Sequence, residues 1–288
     1  MRNKVRSTPS TVRRLLENAR YEILPTASIE ATVLEHVPPG HTVTVTASPK
    51  KGLGPTLDLT ERLNEAGYTA VPHLAARMIS GKAELSEICD RLVAAGITKV
   101  FVPAGDQDPP AGDYQAALDL LEDLESLGRP FPHVGVTGYP ESHPTIHDDV
   151  TVQAMWDKRR HATHIVSNLT FDAKEVIRWV ERLRSRGVPQ PVLIGLPGPV
   201  ERTKLLTMAT RIGVGESTRF LKKNKRVFAG IATPGGYDPM TFIERCARSF
   251  SDPAMHVEGL HVFTFNQVAE TEAWRQEQLA RLGPVLTA

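Results

Sequence analysis

The chain has 288 residues, 41% of them hydrophobic and 23% charged, which places it among ordinary globular proteins that bury at least one large core. Lys and Arg number 34 against 33 Asp and Glu, so no net field draws the protein to nucleic acid or to an acidic membrane. The two cysteines, Cys89 and Cys246, show neither CxxC nor His/Cys metal spacing, and both read as packing residues with no metal site implied.

The basic start MRNKVRSTPSTVRRLLENA lacks the apolar stretch of a secretory signal, and no apolar run reaches the roughly 20 residues that cross a bilayer. A cytoplasmic protein is the expectation, and the cysteine usage fits a reducing compartment. An amphipathic helix is expected from about Thr11, with Ser10 as N-cap and residues 1–19 as an N-terminal extension.

Eight short apolar runs follow in order: RYEILP (20–25), TVTVTA (42–47), TAVPHL (69–74), KVFVPA (99–104), HVGVTG (133–138), THIVSN (163–168), PVLIGLP (191–197) and LHVFTF (260–265). They are too short for core helices and alternate little, as strands buried on both faces do. Helical segments lie between them, among them 57–67, 82–96, 113–128 and 172–187, several ending in Gly. Leu85, Ile88, Cys89, Leu92 and Val93 form one apolar stripe at helical spacing. Strict β–α alternation repeated eight times predicts an α/β protein, a (β/α)8 TIM barrel in a single domain over 1–288. The connection from Gly198 to Gly259 is long enough for extra helices between the seventh and eighth strands.

In such barrels chemistry gathers where strands end, which nominates Glu22, Thr46, His73, Asp106, Tyr139, His143, Asn168 and Asn266. Glu22 sits inside an apolar strand. Desolvation there should raise its pKa and suit it to general-acid work; the alternative is a Glu paired with a cation at the barrel mouth. Asp106 follows Gly105, which admits close backbone approach, and reads either as a ligand-facing carboxylate or as a turn residue in QDPPAGD. His73 and His143 read as ligand contacts or as satisfied structural histidines, and Tyr139 as a stacking platform or a rim residue. The segment 213–226, basic at its end, reads as a solvated helix face or a docking surface for a polyanionic tail. No dinucleotide-binding glycine fingerprint and no phosphate-binding P-loop occurs.

Taken in order, these strand ends resemble the methylenetetrahydrofolate reductase family. The carrying segments are Tyr21-Glu22-Ile23-Leu24-Pro25, Val43 to Thr46, Pro72-His73-Leu74, Ala104-Gly105-Asp106, the motif YPE-x-HP from Tyr139 to Pro144, Ser167 to Asp172, and His261 to Gln267. The resemblance covers almost the whole chain, and YPE-x-HP is its most specific part. It implies reduction of 5,10-methylenetetrahydrofolate to 5-methyltetrahydrofolate, or the reverse, by hydride from NADH or NADPH through FAD. It implies Glu22 as acid catalyst with Asp106 beside the reacting rings, and Thr46, His73, Ala104, Gly105, Asp106, Tyr139, His143 and Lys158 at FAD positions. It further implies Glu22, Asn168 and Gln267 at the folate, and a catalytic barrel alone, without the regulatory domain of eukaryotic relatives.

The sequence departs from the family pattern at Ala104, where the family has Arg, at Asn168 for Gln and at Gln267 for Arg. Loss of a cation near the flavin opens a variant in which hydride passes directly from NADH to the folate. Other classes left open are a pterin-dependent methyltransferase and a non-catalytic folate- or flavin-binding barrel. The expected partner is the small-molecule folate, with no nucleic acid and no membrane, and a homo-oligomer is left open.

Overall fold

The computed structural model describes residues 3–140, 148–199 and 238–283, with side chains from 9 and from 153 onward in the first two stretches. The apolar runs become strands: β1 (Arg20–Ile23), β2 (Thr42–Val45), β3 (Thr69–Pro72), β4 (Lys99–Val102), β5 (His133–Gly138), β6 (His164–Ser167), β7 (Val192–Pro197) and β8 (Val257–Phe263). The helices are α1 (Asn3–Glu17), α2 (Ile29–His36), α3 (Gly54–Glu65), α4 (Lys82–Ala94), α5 (Ala117–Ser126), α6 (Asp148–Lys158), α7 (Ala173–Ser185), α8 (Pro239–Phe250) and α9 (Val268–Arg281).

The strands pair in parallel in the order β3-β2-β1-β8-β7-β6-β5-β4. The two ends of that order meet. His73 bridges Phe101 in parallel, the Leu74 N–H donates to the Phe101 carbonyl at 2.8 Å, and the Ala76 N–H donates to the Pro103 carbonyl at 3.0 Å. The sheet therefore closes into the expected (β/α)8 barrel. Closure leaves no long strand edge exposed and gives every strand an inside and an outside.

Alternation along the strands separates two apolar cores. Tyr21, Ile23, Val43, Val45, Val100, Val102, Ile165, Ile194, Leu260 and Val262 point outward and join the helices in the large core. Val71, Phe101, Val166 and Leu193 form a separate small cluster on the inner face. The remaining inward positions include Arg20, Glu22, His73, His164 and His261, so the strand interior is more polar than the apolar runs suggest.

Local sequence accounts for most boundaries. Asp172 caps α7 by accepting from the Lys174 and Glu175 N–H groups, and Asp238 caps α8 through Met240 and Thr241. Gly96 ends α4 in the left-handed region at φ 74°. Three expectations shift. The first helix begins at Asn3, with Pro9 inside it, so Ser10 lies within the helix and not at its N-cap. Val93 is 49% exposed while Leu85, Ile88, Cys89 and Leu92 are buried, so the α4 stripe is one residue narrower. β8 starts at Val257, three residues earlier than the apolar run. Residues 200–237, including the basic segment 213–226, lie outside the described residues, and of the extra helices between β7 and β8 only α8 and a 3-10 turn (Pro253–Met255) are described.

The outer side of β1 is tied to the chain's end by a buried polar network. The Tyr21 hydroxyl donates to Glu272 Oε2 at 2.5 Å, Arg275 Nε donates to the same oxygen at 3.0 Å, and Arg275 also reaches the Leu16 carbonyl of α1 at 3.3 Å. The strand that carries Glu22 is thus held from behind by α9 and α1. No described helix is long and apolar enough to cross a membrane.

Candidate active site at the carboxyl end of the barrel

Glu22 lies between Tyr21 and Ile23, whose side chains face the outer core, so its own carboxylate projects into the barrel. β1 pairs with β8 so that Glu22 stands level with Phe263, and with β2 so that it stands level with Thr44. Two imidazoles converge on one of its oxygens. His261 Nε2 is 2.9 Å from Glu22 Oε2, and His73 Nε2 is 3.5 Å from the same atom, at the edge of hydrogen-bonding range. The Glu22 side chain is 14% exposed, His73 11% and His261 1%.

Aromatic rings fix these histidines. His73 packs on Phe101 at 4.7 Å between centroids, and His261 meets Phe263 edge-on at 5.1 Å. His261 Nδ1 is buried without a partner among the described residues. Beneath this layer, Arg20 lies 3.2 Å from His164 Nε2, and burial, with Arg20 next, pulls the His164 pKa down to about 3.

The acid-base state of Glu22 differs from the sequence expectation. Burial alone pushes the carboxyl upward, but the hydrogen bond from His261, with His73 close by, outweighs it and holds the pKa at about 2. The expected raised pKa is corrected: desolvation was legible in the sequence, the two partners were not. The alternative of a paired Glu is realised with histidines instead of Arg or Lys. A carboxylate between two imidazoles can hold and pass a proton.

Loops complete the mouth. Thr46 donates its N–H to the Ile23 carbonyl at 2.9 Å and stands half-buried beside β1. Asn266 binds the Leu24 N–H and carbonyl through its side chain, at 2.8 Å and 3.0 Å, extending the β1–β8 contact beyond the strands. It does so with Phe265 and Asn266 at φ 51° and 61°, consecutive left-handed residues of a kind that persist where surrounding structure holds them. Gly105 has φ 85°, and a Cβ there would stand 2.9 Å from Ala75 Cβ, so its close approach is to the neighbouring loop. Asp106 is exposed after β4, Ala104 and Tyr139 are half-buried, and Asn168 is exposed after β6. Gln267 is 6% exposed, below the rim, its Oε1 without a described partner. His143 lies outside the described residues.

Lys158 is not brought to this cluster. It ends α6, the end that hands the chain back to the start of β6, while Glu22 and the loops above lie at strand exits. It is 9% exposed, has no partner among the described residues, and burial lowers its pKa to about 8. A depressed Lys pKa disfavours folding below about pH 8, and the penalty fades as pH rises toward 10.5. Lys158→Met should therefore stabilise the protein by roughly 3 kcal/mol at neutral pH, with the gain vanishing in alkali. Urea unfolding at two pH values checks this; a pH-independent difference would contradict it.

Sequence reasoning passed over His261 as a site residue. Its signal was its place on the same alternation as Phe263 in an otherwise apolar run. A cavity of ≈ 650 Å³ opens at the opposite end, between Arg14, Arg20, His41, His256 and Glu258. Chemistry favours the carboxyl face instead, because the carboxylate, its imidazoles and the loop polar groups converge there. No cluster of three or more His, Cys, Asp or Glu suited to a metal occurs among the described residues.

Residues 30–274 match the model of a family described as methylenetetrahydrofolate reductase, a span that begins after Glu22. Methylenetetrahydrofolate reductase 2 of Saccharomyces cerevisiae is 28% identical over 92 residues, covering 31% of this chain and 15% of that protein. Among solved structures, oxaloacetate acetylhydrolase superposes with TM-score 0.54 at 13% identity, over 98% of this chain and 90% of the other. The 2,3-dimethylmalate lyase of the PEP mutase/isocitrate lyase superfamily gives 0.52 at 11% identity, over 96% and 87%. At such identities these two likenesses concern the fold alone.

Proposed function

The chain belongs to the methylenetetrahydrofolate reductase family, and we propose that it reduces 5,10-methylenetetrahydrofolate to 5-methyltetrahydrofolate with hydride from NADH or NADPH. The observation that carries this reading is Glu22, a carboxylate inside the barrel at a strand exit with two imidazoles on one oxygen.

The chemistry needs a proton and a hydride delivered in order. Protonation at the folate N10 opens the five-membered ring and leaves an electrophilic iminium at N5. Hydride then adds to the exocyclic carbon to give the methyl group. Glu22, whose side chain is 14% exposed with its histidines on the inner side, would hand over the proton. Phe101 and Phe263 keep bulk water from the inner side, which strengthens that hydrogen-bonded contact. Asn168 and Asp106, both at strand exits, are the groups available to the pterin ring. Gln267, with an unpaired buried Oε1, would need to turn outward to join them.

FAD, if bound, would carry the hydride between nicotinamide and folate. The described residues at the positions named for it do not form one cradle. Ala104 offers no cation, His73 is engaged by Glu22 and Phe101, and Lys158 stands at the far end of α6. These three observations favour direct transfer from the dihydronicotinamide to the folate within one ternary complex. The visible spectrum of the purified protein, read before and after NADH, tests the route. A colourless protein that oxidises NADH only when methylenetetrahydrofolate is present supports direct transfer. A yellow protein bleached by NADH supports the flavin route. Failure of both NADH and NADPH to reduce the folate sinks the reductase reading.

A further inference from the structure

We propose that His261 is the proton store of this site: a positioning residue that holds Glu22 through Nε2 and recharges it with a proton each time the carboxyl gives one to the folate. The inference rests on the reductase reading above and adds the origin of the proton. His261 Nε2 lies 2.9 Å from Glu22 Oε2, a full hydrogen bond, and the imidazole is 1% exposed. Phe263 and Phe101 pack around it at 5.1 and 6.4 Å between centroids, so the proton it holds is screened from bulk water.

Among the described residues, the groups facing the pair are few. His73 reaches the same Glu22 oxygen from β3 at 3.5 Å, Arg20 lies below on β1, and His164 stands beside Arg20 on β6. Arg20 is engaged with His164 and is not a practical proton donor at neutral pH. His73 sits at the limit of hydrogen-bonding distance. His261 is thus the proton-bearing group in firm contact with the carboxylate.

The step balances without any further reagent. The Nε2–H bond of the His261 imidazolium breaks as an O–H bond forms on Glu22. That O–H then breaks as N–H forms at the folate nitrogen, and the carbon–nitrogen bond to N10 opens. A neutral imidazole and a carboxylate remain, and after product leaves the imidazole is reprotonated through Glu22, the partly exposed member of the pair.

His261→Gln tests the store against a merely structural role, because the Gln amide keeps a donor toward Glu22 but has no proton to release. The measurement is kcat for folate-dependent NADH oxidation across pH, with 5-methyltetrahydrofolate binding followed by fluorescence. The expected result is retained binding, a kcat lowered about 100-fold, and a kcat–pH profile that differs from that of the wild type. Wild-type kcat with an unchanged profile would overturn the proposal. Should the variant fold poorly, imidazole nitrogen resonances of histidine-labelled wild-type protein decide instead. They should show His261 Nε2 changing protonation state between the free protein and its complex with 5-methyltetrahydrofolate; a single protonation state in both would overturn it. Absence of folate-dependent activity in the wild type strikes the reductase reading, and the His261 resonances still judge the store.

Discussion

Replacing Glu22 with Gln should lower folate turnover by about 10²- to 10⁴-fold, the range that a positioned general acid contributes. The substitution is close to isosteric. A Gln side-chain oxygen can still accept from His261 at the place of the 2.9 Å contact, so the inner wall of the barrel should stay intact. What disappears is the ability to take up a proton and release it. The fall should lie in kcat, with folate affinity within a few-fold of wild type, because the lost interaction is made while the ring opens and not on binding. If the protein carries a flavin, its NADH-to-quinone activity should survive, since that half of the chemistry never needs the folate proton. Steady-state kinetics and folate titration on the same preparation read both quantities. A loss under tenfold, or an equal loss of quinone reduction, would remove Glu22 from the role of folate-specific acid.

Glu272→Ala should be the most damaging change to stability, about 3–5 kcal/mol. Glu272 accepts from the Tyr21 hydroxyl and from Arg275, and Gln276 donates to it as well, at 2.6 Å. Its removal leaves the 7%-exposed Arg275 guanidinium without its carboxylate and the fully buried Tyr21 without its acceptor. Arg275 keeps only the Leu16 carbonyl, a 3.3 Å contact. The consequence reaches the site through one residue, because Tyr21 precedes Glu22 on β1. Urea unfolding should show the loss, and activity in native conditions should fall less than in Glu22→Gln. Replacing the network by apolar residues of similar size is the informative control: Tyr21→Phe with Glu272→Met and Arg275→Leu should recover much of the stability. A Glu272→Ala protein within 1 kcal/mol of wild type would contradict this picture of how β1 is anchored.

Much of the barrel was legible because its signal is repeated. Eight apolar runs separated by helical periods leave few other ways to bury both faces of so many short strands, and the glycine after α4 and the Asp172 cap mark ends by local chemistry alone. Val93 was misjudged because which residues a helix buries depends on the neighbours it meets, and a stripe drawn from periodicity has no neighbours.

The site was half legible. Glu22 stood out as a carboxylate in an apolar strand, and its burial followed from that. The sign of its pKa shift did not, because it depends on His261, 239 residues away in sequence and adjacent only once β8 closes against β1. His73 was named from its position at a strand exit, but its partner came from the same closure. Lys158 was named through the family resemblance, and the direction of α6 carries it to the end opposite Glu22.

Anaerobic turnover of the purified protein with NADH and 5,10-methylenetetrahydrofolate tests the central claim most directly. The account requires NADH to be oxidised only when the folate is present, with one 5-methyltetrahydrofolate formed per NADH consumed. No folate-dependent oxidation of either NADH or NADPH, or oxidation without methyl formation, would contradict it.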